Sequence, residues 1–102
     1  MKKLSIAILL VFSSNVFSDD CVTIDGQMDD DKNKVVDKVS AMNVRISDDS
    51  VKTMTSYAIM TKLIKKANDL NLCFKAGESE LSFRAISEEP KYEGPWKTVP
   101  II

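Results

Sequence analysis

The chain has 102 residues, enough for one small domain, and its formal charge of −1 gives no reason to expect binding to nucleic acid or to an anionic membrane. It contains no histidine, which removes the commonest general base and a favoured metal ligand. Neither a glycine-rich phosphate loop nor a nucleophile elbow is present in the sequence. We therefore expect a protein that is not an enzyme and uses no cofactor or metal.

The amino-terminal residues 1–18 have the layout of a secretory signal peptide. A basic start is followed by an apolar run over residues 4–12, and Val16 and Ser18 occupy the small-residue positions before a cut. The run is too short to span a bilayer as an anchor. We expect cleavage after Ser18 and a secreted or periplasmic product of 84 residues without membrane insertion; the alternative is an uncleaved anchor.

Cys21 and Cys73 are the two cysteines, and export would place them in an oxidising compartment. A chain this small has a marginal core without a covalent staple. A bond between them closes a separation of 52 residues, for which the simple chain-entropy model gives a stabilisation of about 4 kcal/mol. We expect this disulfide; the alternative is two free buried thiols.

The first part of the domain reads as three short strands. Apolar residues alternate over residues 21–28 and 42–46, and more weakly over 34–39. The acidic cluster at residues 29–33 is predicted to be a hairpin turn. It resembles a calcium loop in its spacing, but Lys34 stands where that loop needs glycine, so we expect no metal there.

A long amphipathic helix is predicted to follow these strands. Asp48, Asp49 and Ser50 are suited to its amino end, and Asn68 or Asn71 to its carboxyl end. The apolar stripe that should face the core consists of Tyr57, Ile59, Met60, Leu63, Ile64, Ala67 and Leu70.

The other side of this helix carries Lys62, Lys65 and Lys66. Such a face is typical of any surface helix. An alternative is that it lies against a neighbouring subunit or lines a pore, because it also holds less polar residues, namely Val51, Met54 and Ala58.

Two more strands are predicted at residues 72–76 and 81–85, and the three prolines all lie in a tail at residues 89–102. The tail, which contains Tyr92 and Trp96, either covers an apolar edge or forms an exposed recognition segment. The predicted fold is α+β and mainly β: residues 19–88 form a small five-stranded OB-fold-like barrel with one long helix and one disulfide.

Four features together suggest a family: Asp20-Cys21-Val22 at the predicted mature start, the long helix, Leu72-Cys73-Phe74 directly after it, and Arg84-Ala85-Ile86-Ser87 in the next hairpin. Over about residues 20–88 the chain resembles the receptor-binding B subunits of AB5 toxins, the cholera, heat-labile enterotoxin and Shiga groups. The resemblance implies a pentamer with helices around a pore, an enzymatic A subunit docked there, and a glycan receptor.

In that arrangement Lys62, Lys65 and Lys66 would face the pore. The enterotoxin group has a sugar-stacking tryptophan two positions after the second cysteine, where this chain has Lys75, so the resemblance transfers no binding residue. From residue type alone, we expect Trp96 or Tyr92 to stack on a sugar.

Two functions follow as expectations. The first is a secreted, non-catalytic binding subunit of an AB5-type toxin, which recognises cell-surface glycans as a ring oligomer and carries an enzymatic A subunit. The second is a periplasmic inhibitor or immunity protein that plugs a cell-wall hydrolase or a toxin effector with the tail or with acidic residues 29–31.

Overall fold

The structure is a computed structural model that describes residues 20–102 of the chain. The predicted signal peptide, residues 1–18, and its cut after Ser18 lie outside the described residues. The elements of the described part, in chain order, are β1 (Cys21–Thr23), α1 (Met28–Ala41), α2 (Asp48–Lys65), β2 (Asn71–Ala76), β3 (Glu80–Glu88), β4 (Lys91–Glu93) and β5 (Lys97–Pro100).

The five strands formed within residues 20–102 make one antiparallel sheet, so the fold is α+β as expected. It has two helices where one was predicted, and because these span 14 and 18 residues the described part is not mainly β. The strand order is β1-β2-β3, and β3 then pairs with β4 along its second half and with β5 along its first half. This sheet is not closed, and the predicted OB-fold-like barrel is therefore not observed. With only three residues, β1 is too short to be shared between β2 and the opposite edge.

The predicted disulfide is confirmed. Cys21 and Cys73 are direct cross-strand partners, and their sulfur atoms are 2.05 Å apart. The bond joins β1 to β2, so the first strand is held by one covalent link as well as by its short hydrogen-bond ladder.

Residues 29–33 and 34–39 were predicted as a turn and a strand, and this prediction is wrong because both lie in α1. Asp31, Val35 and Val39 are each four residues apart and are buried on one side of this helix. That spacing is the helical period rather than the strand period. The neighbouring acids Asp29 and Asp30 are in the first turn, where the helix dipole favours negative charge.

Asp31 organises the turn between β1 and α1. Its carboxylate accepts hydrogen bonds from the backbone N–H groups of Asp25, at 3.0 Å, and Gly26, at 2.8 Å. Gly26 has a φ of +94°, which a residue with a side chain rarely adopts. A hydrogen bond from Lys34 lowers the pKa of Asp25, and the same bond raises the pKa of Lys34. The acidic cluster is thus part of the fold.

The strand predicted at residues 42–46 is also not observed, since this segment connects α1 to α2. The alternation reflects Val44, which is buried, and Met42 and Ile46, which pack against the core and are partly buried; Asn43 between them takes a left-handed conformation with φ 63°. Ser47 then caps α2 by accepting a hydrogen bond from the backbone N–H of Ser50 at 3.1 Å.

The buried face of α2 differs from the predicted stripe. Met60, Leu63 and Ile64 are 59%, 70% and 68% exposed. The helix also ends earlier than expected, at Lys65, and Lys66 takes the left-handed conformation of a C-cap. The residues that α2 buries are Ser50, Val51, Met54, Thr55, Ala58 and Thr61.

Four of these six residues are small, namely Ser50, Thr55, Ala58 and Thr61, whereas Met54 is a large side chain that is fully buried. The buried Thr55 hydroxyl donates to the carbonyl of Val51, and that of Thr61 to the carbonyl of Tyr57, both at 2.8 Å. Hydroxyl groups satisfied within their own helix can be buried without a large penalty. With its buried side α2 packs against α1 as well as β3, and the large side chains of the core come from both layers: Met54 from α2, and Leu72, Phe74, Leu81 and Phe83 from the sheet.

This packing predicts opposite outcomes for two substitutions on α2. Ala58→Met adds a large side chain where Ala58 is fully buried, and it should lower the free energy of unfolding by about 1–3 kcal/mol. Leu63→Ala removes an exposed side chain and should change it by about 0.5 kcal/mol or less. Urea unfolding followed by circular dichroism measures both; a larger loss for Leu63→Ala than for Ala58→Met would contradict the observed orientation.

Candidate functional site

The sheet has two unlike faces. Along β3 the side chains of Leu81, Phe83 and Ala85 are buried in the core shared with the helices, whereas those between them point the other way. Of the helices in the described part of the chain, α1 reaches this second side with its last residue, Ala41, which lines the hollow described below; we call this side the open face. It is formed by alternate residues of three strands, which face each other across the sheet: Asn71, Cys73 and Lys75 of β2, Ser82, Arg84 and Ile86 of β3, and Thr98 of β5.

Trp96, the only tryptophan of the chain, lies on the open face. The ammonium nitrogen of Lys75 is 4.7 Å from the centre of its ring, and the guanidinium carbon of Arg84 is 4.8 Å from it. The two cations come from neighbouring strands, so the indole extends across β2 and β3. Cation–π contact holds the ring in place, yet Trp96 remains 41% exposed.

The path of the chain between β4 and β5 explains this placement. The backbone N–H of the buried Gly94 donates to the carbonyl of Ala85 at 2.9 Å. A Cβ atom at this position would lie 2.9 Å from the Tyr92 hydroxyl and 3.2 Å from the Ala85 carbonyl oxygen, so a side chain would not fit without movement. Lys97 then pairs with Phe83 on the core side, and strand alternation turns Trp96 to the open face.

A hollow of about 830 Å³ lies beside the tryptophan, within the size range of small-ligand sites. Its wall mixes an aromatic ring and apolar groups with amide, carboxylate, ammonium and guanidinium groups. Hydrogen-bond donors and acceptors of both signs of charge are therefore available around one stacking surface. The lining residues with polar side chains are Asp20, Asn71, Lys75, Arg84 and Glu88.

Tyr92, the other predicted stacking residue, is on the opposite side of the sheet. It pairs with Ser87, and its ring is 4.7 Å from the Lys65 ammonium nitrogen. Its hydroxyl lies close to that of Tyr57, whose pKa is raised above its ordinary value by burial and by hydrogen bonding to Tyr92. Tyr92 and Trp96 therefore do not form a single site.

The structure places the three lysines that were predicted to face a pore in separate surroundings. Lys62 donates to the carbonyls of Ala67, at 2.9 Å, and Asn68, at 3.1 Å, and Lys65 lies over Tyr92. Lys66 is the C-cap residue. Their predicted position beside a pore stays a prediction.

Lys75 and Arg84 were not predicted to be site residues. The alternation of apolar residues in their strands does predict that both side chains lie on the side of the sheet away from the core. Their meeting with Trp96 depends on the pairing of β3 with β5, which brings residues far apart in the sequence together.

Within residues 20–102, no group of acidic, cysteine or histidine side chains is arranged to hold a metal ion. Over the same residues, neither helix combines the length and apolar character needed to cross a bilayer. Comparison of the chain with protein-family models, with curated proteins and with solved structures finds no match.

The raised pKa of Tyr57 predicts a specific dependence on pH. In the Tyr92→Phe variant Tyr57 is the only tyrosine, and burial should still make it ionise above its usual pKa near 10. Because folding raises this pKa, its contribution to stability is complete below pH 10 and is lost as pH rises through the folded-state value. Ultraviolet titration of tyrosinate measures the pKa; ionisation at or below the value of the urea-unfolded variant would contradict the assignment.

Proposed function

We propose that this chain is an exported, non-catalytic saccharide-binding subunit that uses the open face of its sheet. The observation that carries the proposal is the side chain of Trp96, which is 41% exposed and in cation–π contact with Lys75 and Arg84, beside a hollow lined by both polar and apolar groups. A sugar ring has one apolar C–H face and a rim of hydroxyl groups. The indole offers a flat surface to the C–H face of the sugar, and the surrounding polar side chains can form hydrogen bonds with its hydroxyl groups.

The ring oligomer, the docked A subunit and the toxin role were expected from a ring of closed barrels with helices around a pore. The sheet formed by residues 20–102 is not closed and does not provide that arrangement. The proposed function is therefore a secreted glycan-binding subunit.

The inhibitor or immunity alternative predicted a contact through acidic residues 29–31 or through the tail. Residues 29–31 are in the first turn of α1, where Asp31 is buried while Asp29 and Asp30 are exposed, and residues 89–102 contribute β4 and β5 to the sheet. In this alternative a protein partner would bind through Trp96, which is the exposed aromatic residue of that tail. Tryptophan and arginine are frequent in the energetic centres of protein interfaces, so this alternative is an outcome of the same experiment.

A glycan array followed by titration of the intrinsic fluorescence of Trp96 tests the proposal. A bound saccharide should change the emission of this single tryptophan. Trp96→Ala and Trp96→Phe lack this fluorophore, so their affinities are compared with that of the wild type by isothermal titration calorimetry. Trp96→Ala should weaken binding at least about tenfold, since losing a central aromatic contact costs roughly 1.4 kcal/mol or more. Trp96→Phe should keep part of the affinity because a flat ring remains.

The matched control is Tyr92→Phe, which alters an aromatic residue on the core side of the sheet and should leave saccharide affinity unchanged. A blank array, or equal binding by the wild type and Trp96→Ala, would overturn the saccharide proposal. Capture of an exported hydrolase that is lost in Trp96→Ala, together with a blank array, would establish the inhibitor alternative instead.

A further inference from the structure

The disulfide lies on the open face of the sheet rather than in the hydrophobic core. Leu72 and Phe74 belong to the core, so strand alternation turns Cys73 between them to the other side of β2, where it lines the hollow beside Trp96. Cys21 lines the same hollow and is partly exposed, whereas Cys73 is 8% exposed. Of the two cysteines, Cys21 is therefore the more accessible to a molecule that enters the hollow.

Positive charge surrounds the second cysteine of the bond. Arg84 is the direct cross-strand partner of Cys73, and the Cβ atoms of such partners lie about 4.5–5.5 Å apart. Lys75 follows two residues later on the same side of β2. Within residues 20–102 neither of these cations forms an ion pair with a carboxylate. Both are therefore available to stabilise a thiolate at Cys73.

Most of the carboxylates on the open face are farther from this sulfur. Glu80 and Glu88 are each four positions from Arg84 along β3, which is about 13 Å at the rise of an extended strand. Glu93, the partner of Ile86, is on β4, two strands away from β2 and thus about 10 Å across the sheet. The charge nearest to the leaving sulfur is therefore positive.

Negative charge lies next to the other sulfur instead. Asp20 directly precedes Cys21, is exposed and lines the hollow. Its carboxylate would repel a thiolate at Cys21, whereas the two cations would attract one at Cys73. Exposure and charge thus select the same product: Cys21 is the sulfur to be attacked, and Cys73 is the better leaving group.

We propose that the Cys21–Cys73 disulfide is a thiol-exchange site that a small thiol reaches through the hollow. The incoming thiolate attacks the Cys21 sulfur, a new sulfur–sulfur bond forms there, and the bond to Cys73 breaks, its electron pair leaving with Cys73 as a thiolate. Cys21 then carries the small thiol as a mixed disulfide. A second thiol molecule that attacks the small-thiol sulfur of this adduct releases Cys21 as a thiolate. The two small thiols end joined to each other, so they are oxidised by two electrons and the protein is reduced by two.

Opening the bond loosens one end of β1. Beyond its carboxyl end, Ile24 is fully buried and its backbone N–H donates to the carbonyl of Leu70 at 2.9 Å. The other end is held by the disulfide and by the bond from the Phe74 N–H to the Asp20 carbonyl at 2.8 Å. Asp20 and Cys21 line the hollow, so exchange changes its wall while Ile24 stays anchored. In a consequence that rests on the proposed function, exchange at this wall weakens saccharide binding.

Reaction of the folded, exported protein with reduced glutathione, without any saccharide, tests the exchange independently of the proposed function. After trapping with an alkylating agent, mass spectrometry should show a glutathione adduct, and peptide mapping should place it on Cys21. The rate should be proportional to the glutathione concentration. It should be unchanged by about 1 M urea, below the unfolding transition, because the attack needs no unfolding.

Substitution of Arg84 tests the role of its charge. Arg84→Gln should slow the exchange about threefold or more, since the leaving thiolate loses its nearest cation, and Arg84→Lys should retain most of the rate. The matched control is Lys97→Gln, which removes one positive charge from the core side of the sheet, where Lys97 lies 5.5 Å from the centre of the Tyr57 ring. It should leave the rate unchanged. Circular dichroism checks that all three variants are folded.

Four results would each overturn the proposal: no adduct in the absence of urea, an adduct on Cys73 in place of Cys21, equal rates for the wild type and Arg84→Gln, or a rate that rises steeply with urea. Each of these is distinct from a blank glycan array, which would overturn the proposed function. Equal saccharide affinity of the adduct and the unmodified protein would contradict the predicted effect on binding.

Discussion

The burial of one side of the sheet by α2, which also packs along α1, is the contact on which the rest of the structure depends. Fully buried Ala58 and Thr55 leave room for the large side chains of the sheet, and Tyr57 meets the edge of Phe83 with ring centres 5.8 Å apart. Because these two residues of α2 are small, Leu81 and Phe83 can fill the space between the helix and the sheet. One side of the sheet is thereby buried.

Two surfaces follow from this arrangement. The second side of the sheet is left to residues that are polar or amphipathic, and Trp96 lies there across Lys75 and Arg84. The large apolar residues of α2, which the core does not need, are left on its outward side. The Trp96 face and the exposed apolar side chains of α2 therefore both follow from the way this helix packs. The first lies on the sheet and the second on the helix.

Alternation in the sequence was a good guide where the chain forms a half-buried antiparallel sheet. It predicted β2 and β3 and the side of the sheet on which Leu81 and Phe83 lie, and export together with two cysteines predicted the disulfide. It failed at residues 34–39, where the β-branched Val35, Val36 and Val39 favour a strand by type. The spacing of buried Asp31, Val35 and Val39 is helical, and tertiary packing decides the outcome.

The orientation of α2 was missed for a physical reason as well. A hydrophobic stripe normally marks the core side of a helix. In α2, however, small residues such as Thr55, Ala58 and Thr61 are buried, and large apolar residues near the end of the helix are exposed. The site itself could be predicted only in part. Trp96 was selected by residue type, whereas its contacts with Lys75 and Arg84 require the pairing of β3 with β5, which no local pattern in the sequence reveals.

We propose that the ligand binds on the open face of the sheet and not on α2 or at the β1–α1 turn. Nuclear magnetic resonance of the labelled protein, titrated with a saccharide that the array identifies, tests this most directly. We predict shifts of the Trp96 indole N–H and of the side-chain signals of Asn71, Ile86 and Arg84, with little change at the side chains of Leu81 and Ala85 on the core side. Shifts centred on α1 or α2, with an unmoved Trp96 indole, would contradict the account.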